Sequence, residues 1–326
     1  MITMHRLLIS VALLAITFIG ACDVPGPEDN KAQFTKITLQ LNWKPEPQFG
    51  GFYAAPYANH MLDVDVRPGG AGAPTIELLG SGKVPFAIVS ADEIPRARLQ
   101  GAKVVALFAV YQTHPQGIMT HRRRGFATLA DVFKSDGILA MEQGLPYSNY
   151  LKNKYGFGKL RIVPSPFGDL SVFRTDNSYS MQCFVTSEPL AAAKLGIETQ
   201  TFLIADSGYN PYATVLATNE DYLESNPDVC KKMVKAVSEG WRAYLDDPAA
   251  TNARMHALNP TMDLETFGSS AEAQITLIEN AETKAQGLGV MTTARWQELI
   301  GQLTELKVID QPVEASACFK DLRSTE

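Results

Sequence analysis

The sequence predicts an α/β protein of two lobes joined by two crossovers, with an all-helical C-terminal segment. Three features predict it. Apolar strand-like runs alternate with helix-compatible stretches from residue 37 to 110. The same alternation restarts at 118 and runs to 185, and beyond 217 only helical patterns remain. Alternating β and α segments imply mostly parallel sheets with covered faces. The aromatic, Pro- or Gly-bearing connectors at 111–117 and 206–212 are the two crossovers. This assigns 36–113 plus 214–326 to lobe 1 and 114–213 to lobe 2.

Before the first lobe, residues 1–22 read MITMHRLLISVALLAITFIGAC. Arg6 supplies a positive start and 7–19 an apolar run too short to span a bilayer, the pattern of a signal peptide over 1–21. Ile19-Gly20-Ala21-Cys22 resembles a bacterial lipobox, which implies cleavage before Cys22 and lipid on its sulfur. Asp23 then favours retention on the inner membrane of a Gram-negative cell. The expected location is the periplasmic face of the cytoplasmic membrane, lipid-anchored. Residues 22–35, polar and containing Pro25, Gly26 and Pro27, read as a tether. The remaining ~300 residues suffice for two lobes.

A net charge of −6 argues against nucleic acid and against a purely electrostatic membrane partner. With Cys22 lipidated, Cys183, Cys230 and Cys318 allow at most one disulfide. Cys183 falls in a strand expected to be buried, so Cys230–Cys318 is the expected pair in an oxidising compartment. No Cys/His spacing fits a metal site, and no cofactor is expected.

In lobe 1, strands are expected at 37–41, 64–67, 86–89 and 104–110, and helices at 52–60, 73–79 and 91–99. The stretch 39–58, LQLNWKPEPQFGGFYAAPYA, organises the rest. Leu39 and Leu41 alternate with Gln40 and Asn42, the end of a half-buried strand. Pro45 and Pro47 forbid both ladder and helix, so the chain turns. Gly50 and Gly51 then open a helix whose free N–H groups lie at the strand's carboxyl end, where open α/β sheets bind ligands. Trp43 and Tyr53 flank the turn with flat apolar faces. Either alone reads as core, but their clustering at a strand-end turn points to a pocket. Gly69 to Gly72 lack phosphate-loop spacing and read as a tight turn. Ser90, Asp92 and Glu93 start another helix. Ser90 as cap with Glu93 as its box partner, and Ser90 with Asp92 as ligand contacts, are compatible readings.

In lobe 2, strands are expected at 118–120, 137–141, 161–164 and 181–185, with the basic run 121–124 a solvated loop. Gly144-Leu145-Pro146-Tyr147 repeats the strand–turn–helix design, which makes Gln143 and Tyr147 candidates. At 185–189 the design recurs, with Thr186 or Ser187 capping and Glu188 in the first turn, where the helix dipole favours a carboxylate. Tyr209 and Tyr212 lie in the return connector. Asn219 then caps 220–224, and further helices are expected at 227–245, 249–258, 265–286 and 293–305.

With these residues in view, the chain resembles the NMT1/THI5-like solute-binding proteins of bacterial ABC importers. The likeness rests on LQLNWKPEPQFGGFYAA, GSGKVPFAIVSADE, TSEPLAAAKLG and NEDYLESNPDVCKKMVKAVSEGW, in that order along nearly the whole mature chain. It implies a type II periplasmic-binding-protein fold whose lobes close on a small molecule. It also implies permease and ATPase partners for a monomeric binder. Family members bind formylaminopyrimidine thiamine precursors or riboflavin, and sulfonate and nitrate binders are more distant. The superfamily also holds a eukaryotic pyrimidine synthase, which carries pyridoxal phosphate on a lysine and consumes its own histidine. The positions that align with these are Val89 and Glu93, and Cys183 stands alone where the synthase has a cysteine run. No enzyme is therefore expected. A planar heteroaromatic suits Trp43, Tyr209 and Tyr212 as stacking faces, with Glu188 and Asp92 accepting from exocyclic amines. An anion would want arginines or several helix N-termini instead.

Overall fold

The computed structural model describes residues 34–323. The signal peptide, Cys22 and nearly all of the tether lie outside the described residues. The strands form two five-stranded sheets. The first, in the order β2-β1-β3-β10-β4, comprises β1 (Thr35–Gln40), β2 (Leu62–Arg67), β3 (Phe86–Val89), β4 (Val104–Tyr111) and β10 (Ala213–Asn219). The second, in the order β7-β6-β8-β5-β9, comprises β5 (Gln116–His121), β6 (Asp136–Ala140), β7 (Lys159–Val163), β8 (Tyr179–Phe184) and β9 (Thr199–Leu203). The chain passes between sheets twice, from β4 to β5 and from β9 to β10.

Each sheet is parallel except for one strand. β5 runs antiparallel to β8 and β9, and β10 runs antiparallel to β3 and β4. The reversed strand is in each case the one that has just arrived from the other sheet. β9, TQTFL, is half-buried along its whole length and carries no alternation strong enough to read in the sequence.

The helices follow the sequence pattern with two corrections. The stretch 52–60 is not one helix. It is a helix Gly50–Ala54 and a 3-10 turn Tyr57–His60, because Pro56 has no N–H to continue the ladder. The stretch 265–286 divides into Leu264–Ala273, Ile275–Ile278 and Ala281–Gln286; Asn280 starts the last with a reciprocal capping box to Thr283. The long helix Pro227–Asp246 and the helix Thr293–Glu305 form as the pattern predicts.

Side chains of the first sheet alternate between two cores. Phe86, Ile88, Val105 and Leu107 pack on the face covered by Met233, Val237 and Trp241 of the long helix. Ala87, Val89, Val104 and Ala106 pack on the other, with Trp296 and Cys318. Cys230 belongs to the first core and Cys318 to the second, so the sheet separates them. The expected Cys230–Cys318 disulfide is therefore corrected: both thiols, and that of Cys183 under the second sheet, are buried and free. Burial pushes Cys230 up to about 12 and Cys318 to about 11, which leaves both unreactive. Among the described residues no helix is long and apolar enough to cross a membrane, and no His/Cys/Asp/Glu group could hold a metal ion.

Candidate functional site

The turn after β1 is held at the carbonyls of Trp43, Pro45 and Pro47. Gly69 N–H donates to the Trp43 carbonyl at 2.9 Å, and Asn259 donates to that of Pro45 at 3.1 Å. The buried Gln274 donates to the Pro47 carbonyl at 3.1 Å and accepts from the Tyr111 hydroxyl at 2.7 Å. Gly69 lies so close to the backbone of 41–43 that a side chain there would sit 2.2 Å from the Leu41 carbonyl. Phe49, with no exposed surface, anchors the far end. The turn is thus a rigid mount for two side chains, Trp43 and Glu46.

Facing them is the second sheet's loop 164–168. Its Phe167 is 53% exposed and adopts a φ of 49°, a strained conformation for a bulky side chain. Its ring centre lies 6.4 Å from that of Trp43, with the planes 33° apart. Glu188 opens the helix Glu188–Lys194 in the same region. Ser187 makes no side-chain cap there; instead Glu188 reaches back and accepts the Phe184 N–H at 2.8 Å. Burial raises the Glu188 carboxyl above its ordinary value. Glu46 is pushed up to about 7 by burial and by Glu188, against the pull of Trp43 and Lys44. Outside the aromatic pair, Lys194 ties this helix to Asp263 at 2.6 Å and Glu265 at 3.0 Å, at the start of Leu264–Ala273.

At the crossovers, Asn210 accepts the His114 N–H at 2.8 Å and donates to the Gln112 carbonyl at 3.3 Å, which pins one connector to the other. Arg295 donates to the Asn210 carbonyl at 2.9 Å and to the Gln112 side chain at 3.3 Å. The Gln116 N–H donates to His114 Nδ1, so the neutral ring carries its proton on Nε2. Burial pushes His114 down to about 4. The Tyr209 hydroxyl donates to Asp92 at 2.9 Å, and its ring centre lies 5.3 Å from that of Tyr150, with the planes tilted by 32°.

The candidates read from sequence separate accordingly. Trp43 is half-buried, packed partly on the first core and beside Phe167, and Glu188 lies next to the Phe167 loop, while half-buried Asp92 holds the hydroxyl of Tyr209, which is 2% exposed in the core. Four others are corrected to packing roles. A side chain on Gly50 would collide with Tyr244 and one on Gly51 with Trp241, so these glycines let two helices touch. Tyr53 is 5% exposed under the Arg254 guanidinium, 5.5 Å from its ring centre. Tyr212 is 1% exposed, sandwiched by Arg295 and Trp296, with its hydroxyl accepting the Thr292 N–H. Ser90 contributes its N–H to Glu93 at 2.7 Å, one half of the expected box. The Tyr147 hydroxyl donates to Gln182, which donates in turn to Glu142 at 3.0 Å, while Gln143 is exposed. Glu46, Phe167, His114 and Arg295 are absent from the sequence reading of the site. A usable signal existed for two of them: PEPQFG and PSPFG are both Pro/Gly turns that carry a phenylalanine, one from each sheet.

Two α/β lobes, crossed twice by the chain and meeting at their strand-end turns, define a type II periplasmic-binding-protein fold. The periplasmic aliphatic sulphonate binding protein SsuA from Escherichia coli has it, with a TM-score of 0.66 at 14% identity over 89% of this chain and 94% of that one. The chain belongs to the NMT1/THI5-like family, whose model matches residues 46–251. Among curated proteins it is similar to the formylaminopyrimidine-binding protein of Halalkalibacterium halodurans, 23% identical over 95% of this chain and 97% of the relative. It is also similar to the riboflavin-binding protein RibY of Chloroflexus aurantiacus, 22% identical over 95% of each.

Proposed function

We propose that this chain is the extracytoplasmic solute-binding subunit of an ABC importer and captures a small planar heteroaromatic, favouring a pyrimidine of the thiamine-precursor kind. The observation that carries this is the slot between Trp43 and Phe167. Stacked atoms sit about 3.5 Å apart, so a flat ring between two others asks for about 7 Å. The two ring centres are 6.4 Å apart with the planes tilted by 33°, so the rings must part and align for a flat ligand to lie between them. A flavin is the second reading, favoured by the riboflavin-binding relative and by the same slot. A sulfonate or nitrate is disfavoured, because Glu46 and Glu188 line the site with no arginine paired to either among the described residues.

In this reading 36–113 plus 214–326 move as one body and 114–213 as the other. Closure buries the ligand and presents the loaded monomer to permease and ATPase partners. Cys22 carries the lipid anchor on the periplasmic face of the inner membrane. No catalytic role is assigned: Val89 is fully buried in β3, and Glu93 is engaged at its own helix start. Pyridoxal phosphate should therefore leave no Schiff-base absorbance, and a stoichiometric borohydride-trapped adduct would contradict a pure binder. The binding reading is tested by purifying the protein natively and identifying any retained molecule by mass spectrometry. A pyrimidine or flavin supports it; a sulfonate or a peptide overturns it.

A further inference from the structure

We propose that Glu46 and Glu188 act as a two-carboxylate clamp that selects a positively charged heteroaromatic ring over a neutral or anionic ring of the same shape. This deepens the heteroaromatic reading and rests on it. The two carboxyls come from opposite lobes and flank the same aromatic pair. Glu46 sits between Pro45 and Pro47, whose carbonyls Asn259 and Gln274 hold. Glu188 keeps one oxygen on the Phe184 N–H, while the other lies 3.7 Å from where a side chain on Gly168 would start, next to Phe167.

The surroundings offer no ion-paired countercharge; the one nearby cation is the exposed Lys44, which lowers Glu46 less than burial and Glu188 raise it. Around Glu46 stand the Trp43 indole, the exposed Lys44, neutral Asn259 and the Tyr111 hydroxyl. Around Glu188 stand the Phe184 N–H and the buried Cys183 thiol. Among the described residues neither carboxylate has a basic side chain within ion-pair distance. Two like charges shut into a cleft repel, and only a proton or a cation relieves them. Burial raises both carboxyls, and the charge on Glu188 adds to the rise at Glu46. The aromatic faces favour the same solution, since a ring's negative face attracts positive charge. A flat ring with delocalised positive charge fits both the slot and the clamp.

The test compares two flat probes of the same outline, permanently cationic N-methyl-para-aminopyridinium and neutral N-methyl-para-pyridone, by calorimetric titration, with riboflavin as a third arm. At about pH 8 the wild type should prefer the cation by at least about tenfold. The preference should shrink as pH falls through about 7, because the ligand then competes with the proton on Glu46. Glu46→Gln should reduce the preference to within about threefold, and Glu188→Gln is the parallel variant should the first not fold. Equal affinity for both probes in the wild type, or an intact preference in the folded variants, overturns the clamp. Riboflavin binding without a preference between the pyridine probes overturns the clamp and leaves the heteroaromatic reading standing. Binding of none of the three overturns both.

Discussion

Glu46 and Glu93 illustrate how burial converts ordinary side chains into pH-sensitive ones. Burial raises each carboxyl from 4.5 to about 7. A raised carboxyl contributes stability that is complete below about 4.5 and is lost as pH rises through about 7, by up to about 3 kcal/mol each. His114, pushed from 6.5 to about 4, works the other way: its contribution is complete above about 6.5 and is lost as pH falls through about 4. Glu188 is raised too and His121 lowered too, so three raised carboxyls outweigh two lowered imidazoles. The ligand-free protein should therefore melt at lower temperature at about pH 8 than at about pH 5.5. Glu46→Gln should make that drop smaller, and a wild-type melting point that is level or rises toward pH 8 would contradict the assignment. None of this was legible in the sequence, because a carboxyl's pKa depends on what closes over it. The sequence marks Trp43 as a candidate because it sits at a Pro/Gly turn at a strand end, and the structure sets it beside Phe167 and against the first core. Tyr53 and Tyr212 share that signature yet are core, since composition does not say which face of a helix or connector meets solvent.

At the scale of elements, the glycines of the opening motif do structural work that resembles a ligand loop in sequence. The helix Gly50–Ala54 lies against Pro227–Asp246 so closely that a side chain on Gly240 would come 2.2 Å from the Gly51 carbonyl and 2.5 Å from the Ala55 α-carbon. Those neighbours are backbone and cannot rotate away. Gly240→Ala should destabilise the protein by about 3 kcal/mol, the upper end of ordinary overpacking, despite alanine's better helix propensity. A urea midpoint that is unchanged or raised would show that the helices have room to part. Most strands and helices were readable from periodicity and caps, Asn219 and the Asn226-Pro227 start among them. The direction of β5 and β10 was not, because it is set by which sheet the chain has just left. The break at Glu279–Asn280 was also hidden, because Glu265 to Gln286 keeps a helical composition throughout.

For the whole molecule, the two connectors are bound to each other through Asn210 and to the helix Thr293–Glu305 through Arg295, so both crossovers are tied together at one place. The Lys194 bridges to Asp263 and Glu265 join the helix after β8 to the helix Leu264–Ala273. Location rests on the N-terminus: Cys22→Ser should block processing or release soluble protein, and normal cleavage with unaltered membrane retention would show that Cys22 is not the anchor. The two-lobe architecture could be read from the sequence because the β/α alternation halts and restarts. The pairing of one turn from each lobe across the cleft could not, because it exists only after both sheets have formed.

The central claim, that a planar ligand is held between Trp43 of one lobe and Phe167 of the other, is met most directly by titrating Trp43→Ala and Phe167→Ala with the molecule recovered from the native protein. Each variant should lose affinity by roughly ten- to a hundredfold, taking about 1–3 kcal/mol for a lost stacking face, while melting stays near that of the wild type. Unchanged affinity in both folded variants would contradict a ligand held in this cleft.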